Sequence, residues 1–254
     1  MGRRRGAWMR FAAMIIKPTL WTFTRRTWRG QENVPDGPVI LVANHLSHAD
    51  PFVLAHYVYD LPREPRFLGK ESVFKVPFVG MVVRGAGQIP VRRSTTEAAQ
   101  ALDHAVAALG RGECVIIYPE GTTTKDPELW PMQGKTGAAR LALLTGAPVV
   151  PVGQWGAEKL YHPITHKIGL RPRTPVTLVA GPPIDLSAYA GKPQTAALLA
   201  EVTDVIMRRV RELVADARGV PAPTGPLYRR PARAVAPGRE TATDEPTTTP
   251  EVPS

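Results

Sequence analysis

One cysteine, Cys114, is all that 254 residues contain. That excludes an intrachain disulfide and any cysteine-rich metal site. Cys114 lies within Cys114-Val115-Ile116-Ile117-Tyr118 and has no activating neighbour, so it reads as a buried core thiol in a reducing setting. Acidic residues are absent from the first thirty positions. That N-terminal stretch also lacks the roughly twenty consecutive apolar residues that a bilayer-spanning helix needs, because Arg10 and Lys17 interrupt it. Its longest uninterrupted run, Phe11–Ile16, is short for a secretory leader, and no small-x-small cleavage site follows. Gly6 stands where a myristoylation signal requires Ser or Thr.

Several catalytic and nucleotide motifs are missing as well. Gly134-Lys135-Thr136 looks like the end of a phosphate-binding loop, but Leu129 occupies the place of its first glycine. Gly85-x-Gly87 meets Pro90 where a dinucleotide fingerprint needs its third glycine. No G-x-S-x-G elbow is present, so a serine hydrolase of that type is unsupported. His45, His48 and Asp50 lack the further His or Cys cluster that would complete a metal site. No recognisable nucleic-acid module occurs.

What the sequence does have is positive charge, a formal +10, which points to an anionic partner. Arg3, Arg4, Arg5, Arg10, Lys17, Arg25, Arg26 and Arg29 crowd into residues 1–30, interleaved with Trp8, Phe11, Met14, Ile15, Ile16, Leu20, Trp21, Phe23 and Trp28. Cations mixed with apolar and aromatic residues are what a helix lying in a membrane interface requires. Residues 1–30 are therefore expected to form a membrane-association segment, followed by one α/β domain over 31–220. Residues 221–254, rich in Pro, Thr and charge, are expected to be a disordered tail.

Along the domain, buried strands are expected at 38–43, 89–91, 113–118, 147–152 and 176–180. Helices are expected from about 51, from Thr95 to Gly110, over Thr136–Leu144 and over Gln194–Ala217. The alternation implies an α/β fold with a mixed, largely parallel sheet flanked by helices. The polar segments 44–50 and 119–125 each follow a buried strand and can converge on one crevice. Asp50-Pro51 resembles an N-cap with proline at the first helical position.

Three segments carry candidate chemistry. His45 and Asp50 are five residues apart, about 140° on a helix, so they meet only if His45 sits in a strand-exit loop and Asp50 at a helix start. A carboxylate on one imidazole nitrogen then leaves the other nitrogen as a general base. Gly87-Gln88-Ile89-Pro90-Val91-Arg92-Arg93 offers two guanidinium groups, suited to bidentate bonds with a phosphate. Tyr118-Pro119-Glu120-Gly121-Thr122 ends a strand in an acid and a glycine that lets a ligand approach the backbone. Each segment taken alone also fits an ordinary loop.

Together and in this order they resemble the glycerolipid acyltransferase family that contains the 1-acylglycerol-3-phosphate acyltransferases. Asn44–Asp50 matches its N-H-x-x-x-x-D block. Gly87–Arg93 matches its G-x-I-x-x-x-R block, Tyr118–Thr122 its F-P-E-G-T block, and Val149-Val150-Pro151-Val152 its proline-centred block. Gly69–Gly80 looks like the segment between the first two blocks, and the resemblance covers roughly residues 30–185. It implies acyl transfer from acyl-coenzyme A or acyl carrier protein to the free hydroxyl of a lysophospholipid, giving phosphatidic acid when the acceptor is 1-acylglycerol-3-phosphate. His45 would be the base and Asp50 its partner. Asn44, Gly87, Arg92, Arg93, Glu120, Gly121, Thr122, Lys135 and Pro151 would contribute to substrate binding. No metal or organic cofactor is implied, and the expected place of action is the cytoplasmic face of the cell membrane, as a peripheral protein. One departure stands out. Thr123 occupies a position where the family often has arginine, leaving Arg92, Lys125 or Lys135 to supply the missing cation. The other readings are acylation of a glycolipid or a different lysophospholipid, and a non-catalytic basic lipid-binding protein.

Overall fold

The computed structural model describes residues 6–61, 63–91, 95–169 and 171–229. Seven strands form one sheet in the order β1-β7-β6-β2-β5-β3-β4. They are β1 (Thr24–Arg29), β2 (Val39–Ala43), β3 (Pro65–Lys70), β4 (Ile89–Val91), β5 (Cys114–Ile117), β6 (Val149–Trp155) and β7 (Thr174–Ala180). Strands β6, β2, β5, β3 and β4 run parallel to one another. β7 is antiparallel to β6, and β1 runs parallel to β7. The central strands β2 and β5 are buried at every residue, as expected of parallel strands covered on both faces.

Helices cover both faces. The long helix α7 (Ala196–Arg218) lies across β6, and with α5 (Thr95–Gly110) and α6 (Gly137–Thr145) it encloses one apolar core around Ile40, Val42, Leu141, Leu199 and Ile206. Its approach is close enough that a Cβ added to Gly153 would sit 2.3 Å from the Leu213 carbonyl carbon. Thr195 caps this helix by accepting the Leu198 N–H at 3.2 Å. The opposite core contains Leu41, Leu54, Tyr57, Val58, Ile116 and Leu178, beneath α2 (Asp50–Asp60) and α1 (Ala7–Phe23). Two short helices, α3 (Glu71–Phe74) and α4 (Val79–Gly85), follow β3.

The structure redraws two parts of the expected layout. Residues 24–29, expected within the membrane segment, are an edge strand paired with β7 from Thr24↔Thr174 to Arg29↔Val179. Among the described residues only α1 precedes it, and no described helix is long and apolar enough to cross a membrane. At the other end, residues 221–229 lie back on the domain instead of starting a disordered tail. Tyr228 bridges to Met132, and its carbonyl accepts the Gln133 N–H at 2.9 Å. The rest of that expected tail, 230–254, is outside the described residues.

Candidate functional site

The site forms where β2 and β5 end, at one edge of the sheet. After Ala43 the chain leaves the strand, and Asn44 locks that exit to β6. Its Oδ1 accepts the Gln154 N–H (2.8 Å), its Nδ2 donates to the Gln154 carbonyl (3.0 Å), and Gln154 Nε2 donates to the Asn44 carbonyl (2.6 Å). Asn44 is fully buried, so its amide is committed to this join.

His45 follows, and its Nδ1 lies 2.9 Å from Asp50 Oδ2. Asp50 is the first residue of α2, whereas the Asp-Pro pair in the sequence suggests the cap just outside it. That shift of one residue turns its carboxylate back over the loop. The N–H groups of Leu46 and Ser47 both donate to the same Oδ2, the second at 2.7 Å. An oxygen already accepting two N–H groups is an acceptor, so the proton between the pair belongs on His45 Nδ1. The lone pair of Nε2 is then free to accept a proton. The Asp50 carboxylate has no solvent exposure, whereas the His45 side chain retains 14%. A buried carboxylate beside a partly open imidazole is suited to stabilising the imidazolium that forms when the base works. The tyrosine that ends the β5 segment, Tyr118, stacks on His45 with centroids 4.5 Å apart and planes at 23°, and burial holds its phenol well above the usual range. Phe67 from β3 stacks on Tyr118 in turn.

Glu120 is the second buried acid. Its Oε1 accepts the His45 N–H (2.8 Å) and its Oε2 the Met132 N–H (3.0 Å). The Thr124 N–H closes the same junction by donating to the His45 carbonyl at 2.7 Å. Both carboxyl oxygens thus brace the His45 loop against the 120–132 loop. Burial pushes the Glu120 carboxyl up to about 8, with the two N–H donors acting in the other direction. Gly121 has φ 66°, and a Cβ there would meet Lys135 Cε and Nζ at 3.2 Å, so the Lys135 chain lies across the glycine. Lys135 also donates its N–H to the Pro119 carbonyl. Its ammonium is the cation that the structure brings beside the glycine of this loop.

The remaining expected site residues are placed as follows. Gly87 adopts φ 70°, a conformation that favours glycine, and the Arg66 guanidinium lies 2.1 Å from where its Cβ would be. Thr122 is partly exposed on the loop, and Thr123 is 3% exposed. Pro151 is buried within β6, paired with Val42. Arg92 and Arg93 fall outside the described residues. His48 is exposed beside the site, with its ring 6.2 Å from that of His45, and burial together with the nearby His45 lowers its pKa. Among the described residues no group of three or more His, Cys, Asp and Glu is arranged to hold a metal ion. Cys114 is buried, and burial pushes its thiol up to about 12, which makes it an inert core residue. Sequence reasoning missed the stacking of Tyr118, the Gln154 lock and the main-chain ends of both Glu120 bonds. Only Tyr118 carried a signal, as an aromatic residue closing a buried strand beside the acid.

Comparison with known proteins places this geometry in context. The family model described as Acyltransferase matches residues 25–155. The 1-acyl-sn-glycerol-3-phosphate acyltransferase of Escherichia coli strain K12 is 30% identical over 181 residues, covering 70% of this chain and 69% of that protein. A chloroplastic 1-acyl-sn-glycerol-3-phosphate acyltransferase of Brassica napus is 31% identical over 145 residues, which are 56% of this chain and 40% of the plant protein. The match to the Borreliella burgdorferi enzyme of the same name, 31% identical, spans 58% of each chain. Among solved structures, the 1-acyl-sn-glycerophosphate acyltransferase of Thermotoga maritima superposes with a TM-score of 0.60 at 30% identity, covering 82% of this chain and 80% of that one.

Proposed function

The chain belongs to the acyltransferase family, and from that premise we propose that it moves a fatty acyl group from an acyl thioester to the free hydroxyl of a lysophospholipid. The donor is acyl-coenzyme A or acyl carrier protein, the acceptor is 1-acylglycerol-3-phosphate, and the product is phosphatidic acid. The observation that carries the reading is the His45–Asp50 pair, 2.9 Å apart at the open end of β2. The 1-acyl-sn-glycerol-3-phosphate specificity named for the bacterial and plant relatives suggests the acceptor.

In this reading His45 Nε2 takes the proton from the acceptor hydroxyl as its oxygen attacks the thioester carbonyl. Asp50 stabilises the imidazolium, and collapse of the tetrahedral intermediate breaks the C–S bond. The proton then passes from His45 to the departing thiolate, so the free thiol and the new ester leave a neutral imidazole behind. Lys135, Arg93 and Arg92 are the candidate phosphate contacts. Glu120 and Gly121 hold the loop on which the glycerol backbone would rest. No metal or organic cofactor takes part. The exposed apolar face of α1 (Phe11, Met14, Ile15 and Trp21) rests on the bilayer as a peripheral contact on the cytoplasmic face.

One observation favours a second reading. Thr123, buried and uncharged, stands where the family often has an arginine, which fits an acceptor with a different headgroup, a glycolipid or another lysophospholipid. A panel of lysophospholipids and lysoglycolipids, offered with both donor types and read by product mass, decides between them. Phosphatidic acid as the dominant product supports the first reading. Acylation of another acceptor in its place supports the second, and no acyl transfer from either donor contradicts both.

A further inference from the structure

A cavity of about 430 Å³ opens beside the start of β1, walled by Trp21, Arg25, Arg26, Arg173 and Asp60. Three arginines and one carboxylate thus line it, and that carboxylate is already engaged. Asp60 Oδ1 is 2.7 Å from Lys17 Nζ, and its Oδ2 accepts the indole N–H of Trp28 at 3.0 Å. Arg26 donates to His56 Nε2 at 2.9 Å. Arg25 and Arg173 make no side-chain hydrogen bond or ion pair among the described residues. Two uncompensated guanidinium groups lining a cavity of ligand size are suited to an oxyanion.

The backbone at Arg173 points the same way. It has φ 57°, a left-handed conformation that glycine adopts without strain and arginine does not. Its N–H donates to the Thr22 carbonyl at 3.2 Å, tying this strained turn to the end of α1. A bulky cation held in a conformation suited to glycine indicates that the side chain serves a purpose there.

Position identifies the ligand. β7 runs antiparallel to β6, and β1 parallel to β7, so Thr24 and Thr174 lie at the same end of the sheet as the exits of β2 and β6. The cavity therefore opens at the same end of the sheet as His45, three strands along, a sideways offset of about 14 Å at the usual strand spacing. That is too far for the phosphate of the acceptor whose hydroxyl reaches His45. Trp21, 60% exposed, lines the cavity and also closes the apolar stripe of α1 that includes Phe11, Met14 and Ile15. Val76, Phe78, Val79 and Met81, following β3 at the same end, are exposed as well. An anion seated here would have its apolar part beside that stripe.

We infer that the Arg25–Arg26–Arg173 cavity binds the headgroup of an anionic phospholipid of the bilayer, holding the catalytic edge of the sheet against the membrane. The choice of a lipid over free phosphate rests on the reading of α1 as a lipid-facing helix. The acidic headgroup answers the cations, and its acyl chains continue along α1 into the membrane.

The test uses the full chain and vesicles of phosphatidylcholine with or without phosphatidylglycerol. Three forms are compared: the parent, Arg25→Gln/Arg173→Gly, and Arg140→Gln/Arg208→Gln, which removes the same charge from exposed sites on α6 and α7. Glycine at 173 relieves the backbone, and single Arg25→Gln is a milder second variant. With each cation near an anionic surface contributing about fivefold to partitioning, the groove double variant should lose roughly 25-fold on phosphatidylglycerol vesicles and Arg25→Gln about fivefold. The α6/α7 pair should lose far less. Equal losses in the two double variants would mean that net charge alone matters and would overturn the proposal. Inorganic phosphate, followed by tryptophan fluorescence at constant ionic strength, separates the two sources of anion. Displacement of phosphate by phosphatidylglycerol vesicles supports a headgroup site, and phosphate binding indifferent to vesicles overturns it. Turnover on a detergent-dispersed acceptor is read separately, so a failure of vesicle binding is distinguishable from a failure of the acyl-transfer reading.

Discussion

Asp50→Asn isolates charge from shape at the centre of the site. The substitution is isosteric, and an amide oxygen placed at the Oδ2 position still accepts the N–H groups of Leu46, Ser47 and His45 Nδ1. What disappears is the negative charge beside the imidazolium. At a charge separation of about 4 Å and an effective dielectric constant near 20, that attraction is about 4 kcal/mol, or on the order of 10³-fold in rate. Because the imidazolium exists only after proton transfer, the loss should fall on kcat, with the acceptor KM little changed. The new NH₂ group takes the place of Oδ1, a buried atom with no partner, so some thermal stability should also be lost. The assay is steady-state acyl transfer with each substrate varied in turn, alongside thermal unfolding of the same preparations. A folded Asp50→Asn protein whose kcat is within tenfold of the parent would refute the reasoning, since Asp50 is the carboxylate bonded to the His45 ring.

Glu120 should give the protein a measurable pH dependence of stability. Its carboxyl titrates near 8 in the fold against 4.5 for an exposed glutamate, so the stability it confers is complete below 4.5 and is lost as pH rises through 8. His56, lowered to about 4 from 6.5, and His48, lowered as well, lose their stabilising contributions as pH falls through 6.5. These histidines are common to the parent and Glu120→Gln, so the difference between the two proteins in thermal unfolding at pH 6.5 and 8 isolates Glu120. Glu120→Gln should lower Tm at both pH values, because its NH₂ faces a main-chain N–H, yet show a smaller fall between them; an unchanged fall would contradict the assignment. Changing Phe11, Met14, Ile15 and Trp21 to Ser should release the protein from anionic vesicles without altering Tm. Trp8 is spared because it packs on Gly85. Undiminished co-sedimentation of that variant would move the membrane contact elsewhere. Arg218 lies between Trp130 and Trp155, its guanidinium carbon 4.1 Å and 4.2 Å from the two rings. Arg218→Ala should cost about 1–2 kcal/mol, read as a drop of a few degrees in Tm; an unchanged Tm would rule out a role for this stack.

The parts of the fold that could be read from sequence are those where one residue run determines its own environment. Val39–Ala43 and Cys114–Ile117 are continuous apolar runs, and only a doubly covered strand accommodates them. Thr24–Arg29, with its three arginines and two threonines, gave no such signal. It is an edge strand with alternate residues facing outward, recognisable only once β7 is beside it. Pro65–Lys70 was missed for a similar reason, since its mostly half-buried residues lack a continuous apolar run. The same division holds in the site. His45 and Asp50 are close in sequence, and their separation announced a loop-to-helix contact. Asn44 and Gln154 are 110 residues apart, and Glu120 reaches His45 across 75. No local pattern encodes those bonds, so Glu120 read as a substrate contact, whereas in the structure both its oxygens hold main chain.

The central claim is that His45 is the base in acyl transfer to a lysophospholipid hydroxyl. The most direct test gives the parent and His45→Ala the same labelled acyl thioester and 1-acylglycerol-3-phosphate and measures labelled phosphatidic acid by mass. The account predicts labelled product from the parent and a rate at least about 10²-fold lower from a folded His45→Ala protein, the usual loss for a general base. Equal rates from the two proteins, or no labelled product from the parent with this acceptor or any other lysophospholipid, would contradict it.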